Sequence, residues 1–570
     1  MNNRLENNFV MEKLDRAFTS VDWINFYPHY GLNNQPILHS NHGLVLLDFD
    51  IVMPFRPRPF CFEHMWITHP SCRDVVQKAW HNHFIGSRAF QFKNKTHKLR
   101  EVFTQWNRDV FGEVEKEISR KKNELQLLQN SILNNEDVRK VRVLREELEV
   151  LMHRDELKWA QKDRNKGIIL GDRNTRYFQT IVRQRRARNR ILQIKTMERN
   201  ISEDSSIIKN TICSHFDLNF SNPMERDHSS TFEELLSLPI PKLSSQQLDY
   251  LNKPITNDEI ECTVFQLGPH KALGPDDIPA FFYQEYWDIV KLDICNTIHA
   301  FFFFLFFFGF LLKSLNHAYI TLIPKVAFPE DVSQFRPISL CNVIYKVISK
   351  IMVNRLKPLM DSLITPFLNA FIRGRSISDN ILIAQEIFDY LGKKKGRKIC
   401  FRAVKIDMSK AYDRIDWHFL KAILIAMNFN DRWVQWIMEC VTSVHYTLLI
   451  NGNISQSFYP KKGLRQGDPL SPYLFLMCAN ILSLALLKAE NQKRIKGVQL
   501  GRNSISFTHL FFANDYLLFF KFDNHSLANI QEILNWYCSL SGQSINLSKF
   551  DLFCSPNMSD EAKEALAHAL

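Results

Sequence analysis

The sequence predicts an α+β fold behind a helical, charged N-terminal half, and three observations predict it. From about Leu251 onward, short strand-like runs alternate with helical ones. Between about Phe90 and Lys195 the chain turns charged, and its apolar residues recur at helical spacing. Residues 507–520, FTHLFFANDYLLFF, set two apolar aromatic runs around one polar pair, Asn514-Asp515. That is the pattern of a β-hairpin whose tight turn holds a carboxylate out of the core.

Composition bounds the function. At 570 residues the chain exceeds one typical domain, and roughly two to four are expected. A hydrophobic share of 45% excludes global disorder. Lys plus Arg is 72 against 60 acids, a net charge of +12. This balance favours a polyanionic partner, nucleic acid before membrane. The 11 cysteines include no C-x-x-C pair, so neither a zinc framework nor a disulfide ladder is legible and a reducing compartment is expected. The N-terminus, MNNRLENNFVMEKLDR, is polar and mixed in charge, unlike a secretory signal. The expected location is nucleus or cytoplasm.

Taken in order, residues 1–62 mix strand formers with prolines. Residues 63–200 read as a charged helical region. Val114, Ile118, Leu125, Leu128 and Ile132 recur at three, four and seven, and after the polar break at Asn134–Asp137 the pattern returns with Val141, Leu144, Leu148 and Leu151. Two amphipathic helices follow, a spacing compatible with an antiparallel hairpin. The run RQRRARNR (183–190) is dense enough in arginine for a phosphate-contacting surface. Residues 201–250 are polar, serine-rich and punctuated by prolines, which reads as a flexible linker. Residues 251–570 are compact. Within them Phe301 to Leu312, FFFFLFFFGFLL, is the most hydrophobic run. It is shorter than the ~18–20 residues of a membrane span and reads as part of a core helix.

Three segments carry chemistry together. In VKIDMSKAYDRIDW (404–417) a short apolar strand delivers Asp407, and an amphipathic helix is expected from about Ser409. In GLRQGDPLSPYLFLMCANIL (463–482) a glycine-bearing polar loop runs into an apolar helix, a place where backbone approaches a phosphate or base closely. The third is the hairpin at 514–515. Two-metal catalysis needs carboxylates from separate strands converging on ions ~4 Å apart, and this order of segments meets that need.

Further stretches join them: KALGPDDIPAFFYQEYW (271–287), ITLIPK (320–325), FRPISLCNVIYKVISKIMVNRLK (335–357), AFIRGRSISDNILIAQEI (370–387) and SGQSINLSK (541–549). From about Leu267 to Asn557 the chain resembles the reverse transcriptase of non-LTR retrotransposons, the LINE type abundant in plant genomes. The resemblance implies a right-hand fingers-and-palm domain at 251–570. It implies DNA synthesis from dNTPs on an RNA template with a DNA primer, using Mg²⁺ or Mn²⁺. It places the metal on Asp407 and Asp515, with Asn514 at the remaining hairpin position. Tyr412 matches the gate against a ribose 2′-hydroxyl, and Gln466 and Gly467 match the loop framing the incoming nucleotide. Arg336 and Lys325 match the fingers cations on the triphosphate, and Lys549 the late lysine that assists the leaving pyrophosphate. RLENNFVMEKLDRAF and HSNHGLVLL resemble the tail of the endonuclease/exonuclease/phosphatase-like domain of such elements, with Ser40-Asn41-His42 where the pattern is S-D-H. No nicking activity is expected of residues 1–62.

The departures point one way. Asn514 stands where the family carries an acid, so the site loses a full negative charge against hard cations. A few kcal/mol of lost transition-state stabilisation is ~10²–10⁴-fold in rate. Asp277 stands where glycine is usual, at a turn expected to want positive φ, and Arg373 stands where proline is common. The thumb is expected to be missing. A truncated, degenerate copy with little polymerase activity is the expectation. Its rivals are a non-catalytic RNA- or DNA-binding protein and a relic without function.

Overall fold

The computed structural model describes residues 60–130, 135–163, 175–221, 229–308, 311–393, 401–501, 505–546 and 549–554, with short stretches between 20 and 49. Ser40, Asn41 and His42 lie outside the described residues. Helix α1 (Arg88–Trp106) starts where the Ser87 hydroxyl accepts the Phe90 amide. Phe62 and Phe103 pack together with Phe282, the rings of Phe103 and Phe282 lying 5.0 and 4.9 Å from that of Phe62. The segment before the compact half therefore shares its core. Helices α2 (Val114–Asn130) and α3 (Asn135–Asp163) are the two periodic segments. Their ion pairs, Lys121–Glu147 at 2.5 Å and Lys158–Glu115 at 2.6 Å, run in opposite senses along the chain, so the pair is an antiparallel hairpin.

The segment read as a linker is built into the protein. Helix α4 (Ser205–Phe220) is capped by Asp204, whose carboxylate accepts the Ser206 and Ile207 amides. It buries Ile208, Ile212, Phe216 and Phe220 at four-residue spacing. Leu235, Leu238, Ile240 and Leu243 also enter the core. The polar residues that suggested a linker serve in part as helix caps, with Ser244 and Gln247 forming a capping box.

Helix α5 (Trp287–Phe308) carries the phenylalanine run. Phe301 and Phe302 are buried, Phe302 edge-on to Trp436 at 4.8 Å, whereas Phe303 is exposed. Helix α6 (Val343–Leu356) begins at the GPDD turn: Asp276 accepts the Val343 amide at 3.1 Å, and its own amide donates to Asn342. A side chain at Gly274 would lie 2.4 Å from the Cys341 carbonyl carbon, so only glycine fits there. Asp277 has φ +57°, the conformation that favours glycine, and pairs with Arg100 at 3.3 Å. Helix α7 (Ser471–Asn491) is the one helix among the described residues long and apolar enough to cross a membrane, but 83% of its apolar window is buried within the protein. It reads as the central core helix.

Eight strands form two four-stranded sheets: β1 (His317–Pro324), β2 (Phe335–Cys341), β3 (Phe401–Asp407), β4 (His445–Ile450), β5 (Asn453–Phe458), β6 (His509–Phe512), β7 (Asp515–Lys521) and β8 (Asp551–Cys554). One sheet, hereafter the arginine sheet, has the order β2-β1-β4-β5, and the other, the carboxylate sheet, the order β6-β7-β3-β8. Only β1 and β4 pair in parallel. Their connection exceeds 100 residues and contains β3, so the chain leaves the arginine sheet, lays down the central strand of the carboxylate sheet and returns.

Candidate functional site

The carboxylate sheet sets two acids face to face. Asp515 is directly opposite Asp407 in the β7–β3 ladder, and opposed residues point to the same face. The sequence suggested that Asn514-Asp515 is the turn. The turn is instead Ala513-Asn514, closed by the Phe512–Asp515 pair, with Ala513 at φ +52°. Asp515 is thereby part of the ladder, which fixes its side chain beside Asp407.

Asp407 is buried, and among the described residues its carboxylate meets three N–H donors. Oδ1 accepts from Asn514 Nδ2 at 2.9 Å. Oδ2 accepts from Asn546 Nδ2 at 3.2 Å and pairs with Lys549 Nζ at 3.1 Å. The Asn546 amide also donates to the Asp407 carbonyl at 2.8 Å, and Met408 bridges to Ile545. The stretch that contains SGQSINLSK is therefore laid against the strand end. Asn546 was missed in the sequence, although it stands in a stretch already singled out.

After Asp407 nine residues intervene before the helix Trp417–Ala426 begins, capped by Asp416 on His418 and Phe419. The helix expected from Ser409 is displaced because Lys410 takes φ +49° and because Asp416 supplies the cap. Tyr412 lies in this turn, stacked on Phe475 at 4.8 Å and 16°. Burial pushes its hydroxyl up to about 12.

The glycine-bearing loop is fastened to the same turn. Gly463 and Leu464 donate to the Ile415 and Tyr412 carbonyls, both at 2.7 Å. A side chain on Gly463 would meet the Asp413 carbonyl at 2.6 Å, and Gly463 has φ +93°. Gln466 donates to Asp413 at 3.2 Å, while its carbonyl accepts the Ser339 amide of β2 at 2.7 Å. Gly467, at φ +111°, passes so close to Ser339 that a side chain would lie 2.8 Å from its carbonyl oxygen. The loop thus joins the two sheets at the site. Burial pushes the Asp413 carboxyl up to about 6.

Within that loop, sequence reasoning passed over Arg465 and Asp468. Both are buried. Arg465 faces the Tyr345 ring at 3.8 Å, donates to Asn316 and the Cys440 carbonyl, and lies 3.5 Å from Asp468. Tyr345 donates its hydroxyl to Asp468 at 2.6 Å.

Arg336 stands exposed on β2 opposite Ile323, next to Lys325 at the end of β1. Lys325 donates to the Ser333 carbonyl at 2.9 Å. Its pKa is lowered, first by burial and then by Arg336 and Lys549, against the pull of Asp413 and Asp407. Asp407, Asn514, Asp515 and Lys549 therefore stand on the carboxylate-sheet side, Lys325 and Arg336 on the arginine-sheet side, and Tyr412, Gln466 and Gly467 on the turn and loop that join the two. The residues fit a divalent cation only in part. Asp407 and Asp515 offer two carboxylates from neighbouring strands. The residue between the strands, Asn514, donates an N–H to Asp407 where a metal ligand would bring negative charge, and no cluster of three or more potential metal ligands occurs among the described residues.

Residues 323–565, which carry these acids, cations and the glycine-bearing loop, match the family model described as reverse transcriptase (RNA-dependent DNA polymerase). This part of the chain is a reverse transcriptase domain, by family an RNA-directed DNA polymerase. More narrowly, it is the domain found in non-LTR-retrotransposon-like proteins. The chain is 26% identical over 533 residues to the transposon TX1 uncharacterized 149 kDa protein of Xenopus laevis, covering 90% of this chain and 38% of that protein. It is 26% identical over 295 residues to the retrovirus-related Pol polyprotein from the type-2 retrotransposable element R2DM of Drosophila melanogaster, 50% of this chain and 26% of that one. It is 47% identical over 73 residues to an uncharacterized mitochondrial protein of Arabidopsis thaliana, 12% of this chain and 60% of that protein. The chain spans less than two thirds of each of these relatives.

Proposed function

We propose that the chain is an RNA-templated DNA polymerase of the plant LINE type whose turnover is suppressed at Asn514. The arginine sheet is its fingers and the carboxylate sheet its palm, and the nearly 50% identity with the Arabidopsis segment is in keeping with a plant lineage. In the reaction, a primer 3′-hydroxyl attacks the α-phosphorus of a dNTP, losing its proton as the new P–O bond forms and pyrophosphate leaves. Mg²⁺ or Mn²⁺ held by Asp407 and Asp515 would supply charge neutralisation at the reacting oxygens. Arg336 and Lys325 neutralise the triphosphate. Tyr412, held flat on Phe475, limits room beside the sugar. Gln466 and Gly467 carry the backbone that faces the incoming base.

The observation that carries the suppression is the hydrogen bond from Asn514 to Asp407. An amide donor there removes one negative charge and also occupies a lone pair that a cation needs. With Asn546 and Lys549 on the other oxygen, the same contacts favour a second reading, nucleic-acid binding without turnover.

Primer extension on an RNA template separates the two, run in Mg²⁺ and Mn²⁺ with the parent chain and its Asn514→Asp variant. Extension by the variant alone supports the proposal. Robust extension by the parent in Mg²⁺ would sink the suppression. RNA binding that weakens steeply with salt, without extension by either protein, supports the binding reading.

A further inference from the structure

We propose that Lys410, oriented by His215 of α4, is a further cation of the triphosphate site, so that the helix preceding the polymerase domain completes its nucleotide pocket. This rests on reading the cleft as a nucleotide site. Lys410 Nζ lies 3.0 Å from His215 Nε2. An ammonium can only donate, so Nε2 is the acceptor and the imidazole is neutral. Burial, reinforced by the Lys410 charge, pushes His215 down to about 4, so the ring stays neutral at physiological pH.

His215 cannot drift. At the end of α4 the Phe220 ring packs on Tyr446 and Phe458 at 5.5 and 5.9 Å, and its carbonyl accepts the Lys461 amide at 2.9 Å. The helix is therefore anchored along the edge of the arginine sheet. Lys410 gives one N–H to the ring, which leaves two for an anion.

The protein does not supply that anion. Among the described residues Lys325, Arg336 and Lys410 form no ion pair, although Lys410 is more than half buried. The neighbouring carboxylates are engaged elsewhere: Asp413 accepts from Gln466, and Asp331 caps Ser333. The Lys410 pKa is lowered chiefly by burial; Asp413 and Asp331 favour its charge without pairing with it, and Arg414 and Lys325 oppose it. A half-buried ammonium with no carboxylate in direct contact is costly unless a ligand provides one. Lys410 lies two residues before Tyr412 and three after Asp407, and its field reaches Lys325, which also senses Arg336, Lys549 and Asp407. The anion that fits among these groups is a triphosphate.

The test is equilibrium binding of fluorescently labelled dTTP and dTMP in Mg²⁺ to the full chain, its Lys410→Met, His215→Leu, His215→Gln and Arg336→Ala variants, with a thermal melt of each. Loss of one charge-assisted contact should weaken dTTP about tenfold in Lys410→Met and leave dTMP unchanged. His215→Leu should lose less in the same direction, and His215→Gln, which keeps an acceptor, should recover. Equal loss for both nucleotides with a lowered melt would make Lys410 merely structural and overturn the inference. Unchanged dTTP binding in Lys410→Met beside a loss in Arg336→Ala would overturn it while the nucleotide reading stands. Weakened RNA binding with dTTP unaffected would assign Lys410 to the template instead. If neither the parent nor its Asn514→Asp variant binds dTTP, the nucleotide reading falls and this inference with it.

Discussion

The two sides of the site depend on different things. On the arginine-sheet side Arg336 and Lys325 stand next to each other, and the 463–467 loop is tied to β2 by the Gln466 carbonyl and by Gly467, which tolerates no side chain. On the carboxylate-sheet side Asp515 stands opposite Asp407, and the neutral amide of Asn514 donates to the Asp407 carboxylate. The scaffold depends on backbone register and close packing, which a near-isosteric Asp-to-Asn change leaves alone. Metal chemistry depends on charge at one atom, which the same change removes.

The sharpest way to break this contrast is to restore the charge. Asn514→Asp should raise primer extension by ~10²–10⁴-fold in Mg²⁺ or Mn²⁺, measured as single-nucleotide incorporation. Less than a threefold change would mean the carboxylate wall is not the lesion. The opposite wall should respond in stability. Arg465→Met leaves Asp468 buried without its counter-charge and should cost about 3–5 kcal/mol in denaturant unfolding, with a smaller loss when Asp468→Asn accompanies it. A cost under about 1 kcal/mol would show that the loop is not held by this pair.

A third experiment joins the two walls. In Asn514→Asp the new carboxylate faces Asp407 without metal, a like-charge repulsion of about 1–4 kcal/mol at such separations. The variant should melt below the parent in EDTA and regain that loss in millimolar Mg²⁺, whereas the parent melt should move little with Mg²⁺. An equal Mg²⁺ response in both would mean that Asn514 does not alter cation binding.

How much of this was legible follows the same division. The acids, Tyr412, the loop and the cations were readable because each sits in a short stretch of distinctive residues, and the hairpin was readable from its aromatic runs. Its turn was misplaced by one residue, since nothing in FFANDY marks alanine for positive φ. The helix after Asp407 was placed early because its cap, Asp416, is one of three aspartates in ten residues. The 201–250 segment was misread because serine and aspartate serve both linkers and helix caps, and only the packing of Ile208, Ile212 and Phe216 separates the two. Lys410, Asn546 and Arg465 were invisible for a different reason. Their partners lie 195, 139 and 149 residues away along the chain, at His215, Asp407 and Asn316, and no local pattern encodes such pairs.

The smallest expected effect lies away from the cleft, at the turn that positions α6. Asp277 holds φ +57° and its carboxyl is pushed up to about 7, chiefly by burial, with Arg100 pulling it back. Because the folded pKa is raised above the unfolded value, the carboxyl favours folding below about pH 4, and that contribution is lost as pH rises to about 7. Asp277→Gly removes both the strained backbone and the desolvated charge, so it should stabilise by about 1 kcal/mol at neutral pH. The gain should be larger at pH 8 than at pH 5, because only at the higher pH is the parent carboxylate ionised in the folded state. Thermal melts at the two pH values read this directly. A gain that is the same at both would leave backbone strain as the whole effect, and a loss would mean the Arg100 pair outweighs the turn.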